Sequence, residues 1–501
     1  MAAASNGSVS LLPEVKEFLA AKPHKAFIGG DYVASASKST FETRNPGTGE
    51  VLSEVYGCDA SDVDQAVDAA WTAFRKAKWA SLPVNERSVV LHRLADLVEK
   101  HTPILAQIES LDCGKIHAQA EGDIGVFVAT MRYYADIAAQ STQRVPIPVA
   151  NHEAYTNHEP YGACAFIFPW NFPFLLVGWG ISPALAAGNT VVIKPAEDTP
   201  LSTLYLCKLL KEAGIPDGVV NVVPGVGETA GAAMAQHPKF ARMSFTGSPE
   251  VGQFVAKHCG ENLIPVKLEL GGKGAAVVFD DVDVDDTADK LAAAVTFHTG
   301  QVCCTATRWV IQEKIYDKLV TACSQRMSAI KVGNQLDETS QMGPVVSDKQ
   351  RKRVLGYLER GTKAGAEMAL EGGAAAVANS ENGFYVKPAI LAGSSDNVAC
   401  REEIFGPVTY VMPFKSEDEA VELVNRSHYG LANSVWSADL SRAQRVAEGM
   451  VAGNSWINAH NVFPMGVPYG GVNLSGLGGG VNSPETFYDY LRPKSIVRPL
   501  E

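Results

Sequence analysis

Residues 161–194, YGACAFIFPWNFPFLLVGWGISPALAAGNTVVIK, decide the fold. No residue from Tyr161 to Ile193 is charged, and an apolar stretch of this length could cross a membrane as a helix. Prolines, glycines and two asparagines interrupt it, however, and each break would leave backbone groups without partners in lipid. The stretch therefore predicts a buried strand, a loop, a short helix and a second strand, and it predicts no membrane partner.

The same alternation continues downstream. Short apolar runs, GVVNVVPG at 218–225 and ARMSFTG at 241–247, alternate with the helix-like segments LSTLYLCKLLKEAG at 201–214 and ETAGAAMAQH at 228–237. Strands that alternate with helices are typical of βαβ units, so we predict an α/β fold with a parallel, doubly wound sheet over residues 160–265.

Helical periodicity fills residues 60–140, ahead of this sheet. Behind it a second α/β unit begins with AAVVF at 275–279, followed by a predicted helix from Val284 to about Thr299. The chain has 501 residues, too many for a single hydrophobic core, so more than one domain is expected.

Charge and cysteine usage exclude several classes of protein. The net charge of −12 argues against a nucleic-acid partner, which would need a basic surface. The nine cysteines include no CxxC pair and no Cys/His metal spacing, so we predict no disulfide framework and no metal site. The N-terminal tail lacks the pattern of a secretory signal. Together these features predict a cytoplasmic protein.

Three polar residues in apolar surroundings are candidates for catalysis. Cys303, in TGQVCCTATR, follows a glycine turn whose N–H groups could lower the thiol pKa, although most cysteines are small buried hydrophobes. Glu269 lies in the apolar strand VKLELGG, where burial would raise its pKa towards that of a general base. Asn171, between two prolines in FPWNFP, could donate to an oxyanion. For Glu269 the alternative is a solvated carboxylate at a strand edge, and for Asn171 it is packing and turn chemistry.

Two further segments indicate a dinucleotide. Gly247 and Gly252 give the spacing GxxxxG after a strand, which suits a pyrophosphate at a helix N-terminus but is weak by itself. Lys194 and Glu197 follow the strand NTVVIK, at the edge of a parallel sheet where ligands bind. An acid there can bind both ribose hydroxyls of NAD and would repel the extra phosphate of NADP. A surface ion pair is the alternative.

These strings together resemble the aldehyde dehydrogenase superfamily over nearly the whole chain. The matches occur in the order that the family has: FPWNFP, GNTVVIKPAEDTP, NVVPG, SFTGSPEVG, LELGGK, GQVCC, MGPVVS, EEIFGPV, PYGGVNLSG and a Tyr-Lys tail. The resemblance implies NAD-dependent oxidation of an aldehyde to the acid, through a thiohemiacetal and thioester on Cys303. It also implies that Glu269 activates the hydrolytic water and that Asn171 forms the oxyanion hole.

The resemblance implies binding roles for further residues. The cofactor residues would be Phe168, Trp170, Lys194, Glu197, Gly227, Phe245, Gly247, Ser248, Val251, Leu270, Glu403 and Phe405. The substrate tunnel would be lined by Phe172, Leu176, Trp179, Phe463 and Tyr469, which carry aromatic and apolar surface without formal charge. The chain resembles the retinal, betaine and phenylacetaldehyde dehydrogenase branch, and this lining, with His460-Asn461, suggests an uncharged apolar or aromatic aldehyde. A betaine or amino aldehyde is the rival, because aromatic walls also hold cations.

The family's organisation also implies the domains. Residues 1–139 and 160–268 would form a Rossmann-like NAD-binding domain and residues 269–455 the α/β catalytic domain. Residues 140–159 and 484–501 would be the strands of a small β oligomerisation hairpin, with 456–483 returning past the active site. A homodimer or homotetramer is expected.

The chain departs from the family pattern at several glycines. Gly274-Ala275 follow GGK, Asn473 replaces a common lysine, and Gly478-Gly479-Gly480 replace Gly-Arg-Glu. Many members have a lysine after the residue that corresponds to Trp179, paired with that glutamate, whereas this chain has Gly180 and Gly480. We expect water to occupy the vacated space behind Glu269.

Two other enzyme or binding classes share these strings. A semialdehyde dehydrogenase that passes its acyl group to coenzyme A generally lacks the glutamate found at Glu269. A non-catalytic NAD-binding scaffold would not need Cys303, Glu269 and Asn171 together.

Overall fold

The computed structural model describes residues 9–500, so the first eight residues of the predicted N-terminal tail and Glu501 lie outside it. The α-helices of this range, in chain order, are α1 Pro13–Ala20, α2 Ala60–Lys76, α3 Val84–Lys100, α4 Thr102–Cys113, α5 His117–Gln140, α6 Pro173–Ala186, α7 Leu201–Ala213, α8 Ala232–Gln236, α9 Pro249–Glu261, α10 Val284–Thr296, α11 Tyr316–Ser328, α12 Asp348–Lys363, α13 Val398–Arg401, α14 Glu417–Asn425, α15 Leu440–Gly449 and α16 Pro484–Tyr488.

The strands of the same range are β1 Ala26–Ile28, β2 Asp31–Val33, β3 Thr40–Arg44, β4 Val51–Tyr56, β5 Arg144–Val149, β6 His152–Pro160, β7 Ala163–Ile167, β8 Thr190–Lys194, β9 Val220–Val222, β10 Arg242–Thr246, β11 Val266–Glu269, β12 Gly274–Val278, β13 Ala306–Gln312, β14 Glu367–Leu370, β15 Gly373–Ala374, β16 Val386–Lys387, β17 Ala389–Ala392, β18 Val408–Phe414, β19 Ala432–Trp436, β20 Asn454–Ile457, β21 Gly476–Leu477 and β22 Leu491–Pro499.

The stretch 161–194, uncharged up to Ile193, folds as strand β7, helix α6 and strand β8, as predicted. Pro173 stands in the first turn of α6, where a missing N–H costs nothing, and Gly188 leaves the helix with φ of +96°. Every residue of β7 and β8 is buried, which explains why Lys194, at the end of β8, is their one charged residue. Within residues 9–500, no helix is long and apolar enough to cross a membrane.

The first sheet has the order β2-β1-β9-β8-β7-β10-β11-β21, and its five central strands are parallel. The chain runs outward from β7 through β8 to β9, then returns to place β10 on the other side of β7. This reversal leaves a crevice at the carboxyl ends of β7 and β10, where ligands of such sheets bind. The predicted α/β fold with a doubly wound parallel sheet is thereby confirmed.

The second sheet has the order β14-β17-β18-β13-β12-β19-β20 and is parallel except for β14. Its borders differ slightly from the proposed domain limits. Glu269 ends β11 in the first sheet, and Ile457 ends β20 in the second. Backbone pairing with neighbouring strands extends one or two residues past the points that the sequence pattern marks.

A third sheet has the order β22-β6-β5 and is antiparallel. It joins the two segments that we assign to an oligomerisation hairpin. Residues 484–488, however, form helix α16, so the C-terminal strand begins only at Leu491.

Helix α10 ends earlier than the sequence pattern predicts, at Thr296 rather than Thr299. His298 and Thr299 adopt left-handed backbone conformations, with φ of +46° and +56°. Non-glycine residues in this region are strained and persist where the surroundings hold them. The break turns the chain towards Cys303.

Candidate active site

A cavity of about 1600 Å³ lies between the first and second sheets. Cys303, Glu269 and Asn171 all line it, although they come from a loop, the end of β11 and the turn before α6. The structure therefore brings together the three residues that the sequence marks for catalysis.

Asn171 is held against the loop that carries Cys303. Its Nδ2 donates to the Gln301 carbonyl at 3.0 Å, and Gln301 Oε1 accepts from Val346 N at 2.9 Å. Both side chains are almost fully buried. The amide has a second N–H to offer, so a rigid donor stands beside the thiol.

The Cys303 thiol is half-buried, and its Sγ lies 3.4 Å from the Tyr469 hydroxyl. The neighbouring Cys304 and Tyr469 side chains hold the pKa of Cys303 below its usual range, although burial opposes them. Since the Cys304 thiol points to Asn461 Oδ1, at 3.4 Å, Tyr469 is the donor that remains available. Tyr469 was predicted only as a tunnel wall, and sequence alone gives no signal for this bond.

Glu269 is buried, and neither carboxylate oxygen has a partner within residues 9–500. Burial raises its pKa, while the positive charge of Lys267 opposes that rise. A desolvated carboxylate facing a cavity is ready to take a proton from water inside it.

Lys194, Glu197 and Gly227 meet beyond the end of β8. Lys194 Nζ donates to Glu197 Oε2 at 3.1 Å, and Gly227 N donates to Glu197 Oε1 at 3.3 Å. Burial raises the pKa of Glu197, but the Lys194 ammonium and these bonds outweigh it, so the pKa lies below its usual range. An ionised acid at this edge of a parallel sheet fits a ribose diol.

The predicted pyrophosphate turn connects β10 to α9. Ser248 caps the helix, accepting from Val251 N at 3.4 Å, while Val251 itself is exposed. A Cβ at Gly247 would lie 2.5 Å from the Phe245 ring, and one at Gly252 would lie 2.6 Å from Leu270. These glycines let helix and strand pack closely and leave the helix N-terminus open to the crevice.

Glu403 and Phe405 lie across the crevice from that turn. Glu403 Oε1 accepts from Gly272 N at 2.8 Å, and burial raises the pKa of Glu403 to about 7. Phe405 has a left-handed backbone (φ +62°) and packs edge-on against Trp170 at 5.2 Å. Gln350, which the sequence did not mark, holds this conformation by donating to the Phe405 carbonyl at 2.6 Å.

Phe168, at the end of β7, lines the cavity beside these residues and stacks on Phe166 at 5.8 Å. Its backbone N–H bonds the Lys194 carbonyl at 3.0 Å. Phe245 lies buried beneath Gly247 and does not line the cavity.

The predicted tunnel residues form one aromatic wall near Cys303. Ring centroids are 5.6 Å apart for Trp179 and Tyr469, and 5.2 Å apart for Phe463 and Tyr469. Phe172 and Leu176 line the same cavity. The sequence did not mark the facing side, helix α5, where Gly122 and Gly125 also line the cavity and a Cβ would meet nothing within 4 Å.

The expectation of water behind Glu269 stays a prediction at Gly180, which lines the cavity. A Cβ there would lie 2.6 Å from the Phe168 ring and 3.0 Å from Phe166, so a lysine side chain would require these rings to move. At Gly480 the carbonyl accepts a hydrogen bond from Lys267, a buried residue that the sequence did not mark. The neighbouring Gly478 and Gly479 have φ of +85° and +98°, a conformation that favours glycine.

A parallel-sheet crevice that opens onto a thiol, a buried carboxylate and an amide donor fits an oxidoreductase that acts through a thioester. Comparisons with known proteins agree. The aldehyde dehydrogenase family model matches residues 32–496. The mitochondrial aldehyde dehydrogenase of Rattus norvegicus is 41% identical over 460 residues, which cover 91% of this chain and 88% of that protein. Phenylacetaldehyde dehydrogenase of Pseudomonas fluorescens is 41% identical over 465 residues, covering 91% and 92%.

A solved structure gives the same result. The NAD+ complex of aldehyde dehydrogenase from Bacillus cereus has a TM-score of 0.95 and 39% identity, covering 99% of this chain and 100% of that one. This chain belongs to the aldehyde dehydrogenase family.

Proposed function

We propose that this aldehyde dehydrogenase uses Cys303 as nucleophile, Glu269 as general base and Asn171 as oxyanion donor. The observation that supports these roles most strongly is the single cavity on which all three side chains converge. The Cys304 thiol is buried and bonded to Asn461, which disfavours the same role for it.

The chemistry follows from these positions. The Cys303 thiolate adds to the aldehyde carbon, and the Asn171 amide donates to the alkoxide that forms. The nicotinamide cofactor, when bound, supplies the acceptor for the hydride that leaves this carbon. A thioester remains on Cys303; Glu269 removes a proton from water as the water attacks it, releasing the acid and the thiolate.

Two variants test this order of events. Cys303→Ala should abolish NADH formation while retaining cofactor binding, and Cys304→Ala is the matched control that should stay active. Glu269→Gln should give a burst of NADH near one per site, followed by slow turnover. Normal turnover by Cys303→Ala, or a Glu269→Gln variant without a burst, would contradict the assignment.

The chain's own residues fit a nicotinamide dinucleotide, and we propose NAD rather than NADP. Glu197, held ionised by Lys194 and Gly227, would meet the ribose, and the helix N-terminus after Gly247 would meet the pyrophosphate. Glu403 and Phe405 would contact the nicotinamide side. A 2′-phosphate beside Glu197 would be repelled.

We propose an uncharged aldehyde with an apolar or aromatic body as substrate. The wall of Trp179, Phe463 and Tyr469 offers aromatic surface, and Gly122 and Gly125 leave room opposite. Betaine aldehyde is the rival, since a quaternary ammonium also binds aromatic faces. Competition between phenylacetaldehyde and betaine aldehyde separates them, and a strong preference for the betaine would reverse this order.

The site itself disfavours two other classes, a semialdehyde dehydrogenase that acylates coenzyme A and a non-catalytic NAD-binding scaffold. Glu269 supplies a base for hydrolysis, which an enzyme that transfers its acyl group to coenzyme A does not need. An inert scaffold would not need an activated thiol beside an oxyanion donor. Strong acceleration of turnover by coenzyme A would favour the first of these, and absence of NADH formation with every aldehyde the second.

We propose a homodimer or homotetramer in the cytoplasm. The edge strand β5 exposes Val145, Ile147 and Val149, and an apolar sheet edge is a ready site for a second copy of the chain. All nine cysteines are free, which suits a reducing compartment. Light scattering and cell fractionation test these two statements.

A further inference from the structure

Lys267 lies two residues before Glu269 on strand β11. Because side chains alternate along a strand, the two point to the same face of the sheet. The Lys267 side chain is only 1% exposed. A buried ammonium needs compensating partners, so what surrounds it is informative.

The ammonium of Lys267 is anchored on one side by two groups from the C-terminal segment. Nζ donates to the Gly480 carbonyl and lies 3.9 Å from Asp489 Oδ2. The same carbonyl accepts from Thr486 Oγ1 at 3.1 Å. Asp489 is 32% exposed, so this side of the cluster reaches solvent.

Gly480 connects this cluster to Glu269. A side chain at Gly470 would place its Cβ 2.8 Å from Gly480 Cα and 3.3 Å from Glu269 Oε1. The base and the carbonyl-anchored ammonium therefore flank the same glycine segment. Glu269 has no hydrogen-bond partner of its own in residues 9–500, so no hydrogen bond stabilises its ionised form alongside the nearby charge.

Four further charged or titratable groups face Lys267 and Glu269: Asp489, Arg242, Cys303 and Tyr469. Lys267 faces Glu269, Asp489 and the like charge of Arg242. Glu269 faces Lys267 and Cys303, with Tyr469 adjoining both. Among these groups, Lys267 is the one whose positive charge favours the ionised form of Glu269.

We propose that Lys267 is a positioning residue for the base, its ammonium held by Gly480 and Asp489 so that the Glu269 carboxylate stays ionised during deacylation. This inference rests on the proposed role of Glu269. It assigns the pH dependence of thioester hydrolysis to a lysine that does not touch the substrate.

The sign of the effect follows from the charges. Burial raises the pKa of Glu269 and lowers that of Lys267, while each charge favours the other. Removing the ammonium therefore raises the pKa of Glu269 further. The base is then protonated, and inactive, up to a higher pH.

The experiment follows acyl-enzyme by intact mass after one turnover and measures its hydrolysis rate against pH. In Lys267→Met the acid limb of this profile should move up by about one unit, a tenfold slower hydrolysis at pH values below the limb. Acylation, measured as the NADH burst, should remain. Lys267→Arg keeps the charge and should keep the limb near its wild-type pH.

A second pair of variants separates the loss of the lysine charge from misfolding. Lys267→Met removes one of the two cations that face Asp489, so Lys267→Met/Asp489→Asn is compared with Asp489→Asn alone. The same upward shift is expected. A folded variant of either kind with an unmoved limb would overturn the inference, as would an equal shift in Lys267→Arg. If Glu269→Gln hydrolyses its acyl-enzyme normally, the proposed role of Glu269 is itself wrong.

Discussion

Replacing Tyr469 by phenylalanine removes the hydroxyl that bonds the Cys303 thiol and changes little else. The ring keeps its contacts with Trp179 and Phe463, at centroid distances of 5.6 and 5.2 Å. What is lost is the bond from Tyr469 Oη to Cys303 Sγ at 3.4 Å. Because the Cys304 thiol is committed to Asn461, no second hydroxyl or thiol replaces it within the described residues.

The size of the effect can be worked from this contact. A hydrogen bond to a charged group contributes about 1.5–3 kcal/mol, and a bond to sulfur at 3.4 Å belongs at the lower end. At about 1.4 kcal/mol per unit, the pKa of Cys303 should rise by about one unit. Burial and the neighbouring Cys303 charge raise the pKa of Tyr469 well above its usual range, so the wild-type hydroxyl remains a donor at alkaline pH.

Alkylation of Cys303 by iodoacetamide, followed against pH, measures the thiolate directly. In Tyr469→Phe the rate on the acid limb should fall about tenfold and recover once the pH exceeds the new pKa. Cys303→Ala gives the background from the other cysteines, and Tyr32→Phe, at an exposed tyrosine, is the matched control. Superimposable curves for Tyr469→Phe and wild type would refute the reasoning.

The remaining predictions concern cofactor and substrate choice. Glu197→Gln removes the charge that faces the ribose, so kcat/KM with NADP relative to NAD should rise about tenfold, and an unchanged ratio would contradict the placement. Gly122→Leu fills the open side of the tunnel, so kcat/KM for phenylacetaldehyde should fall at least tenfold while that for acetaldehyde changes little. Gly260→Leu, also in a helix with nothing within 4 Å, controls for the loss of glycine, and an equal loss for both aldehydes would place Gly122 outside the tunnel.

The periodicity of apolar residues predicted the fold well because it follows which side chains are buried. Strands β7 and β8 carry no charge before Lys194, the last residue of β8, since both faces of a parallel sheet are covered. The end of α10 escaped prediction because the residues after Thr296 are compatible with a helix, and only tertiary contacts hold His298 and Thr299 in left-handed conformations.

The candidate site was predictable only in part. Cys303, Glu269 and Asn171 stand in distinctive strings, and the fold brings them to one cavity. The bond between Tyr469 and Cys303 joins residues 166 positions apart, and that between Lys267 and Gly480 joins residues 213 apart. No local pattern encodes such approaches, so they became visible only in the folded chain.

The glycines at 180 and 480 show why substitutions near a buried base cannot be interpreted singly. A lysine at 180 would collide with the Phe168 ring, and a side chain at 480 would meet the Tyr469 carbonyl at 2.6 Å. Yet a buried carboxylate without any nearby cation would stay protonated, because desolvation penalises its charge. Lys267 supplies a cation from the strand that carries Glu269 itself, and it uses the carbonyl of Gly480 as its anchor. A side chain at 480 would push against the Tyr469 backbone and so shift the glycine whose carbonyl anchors this lysine.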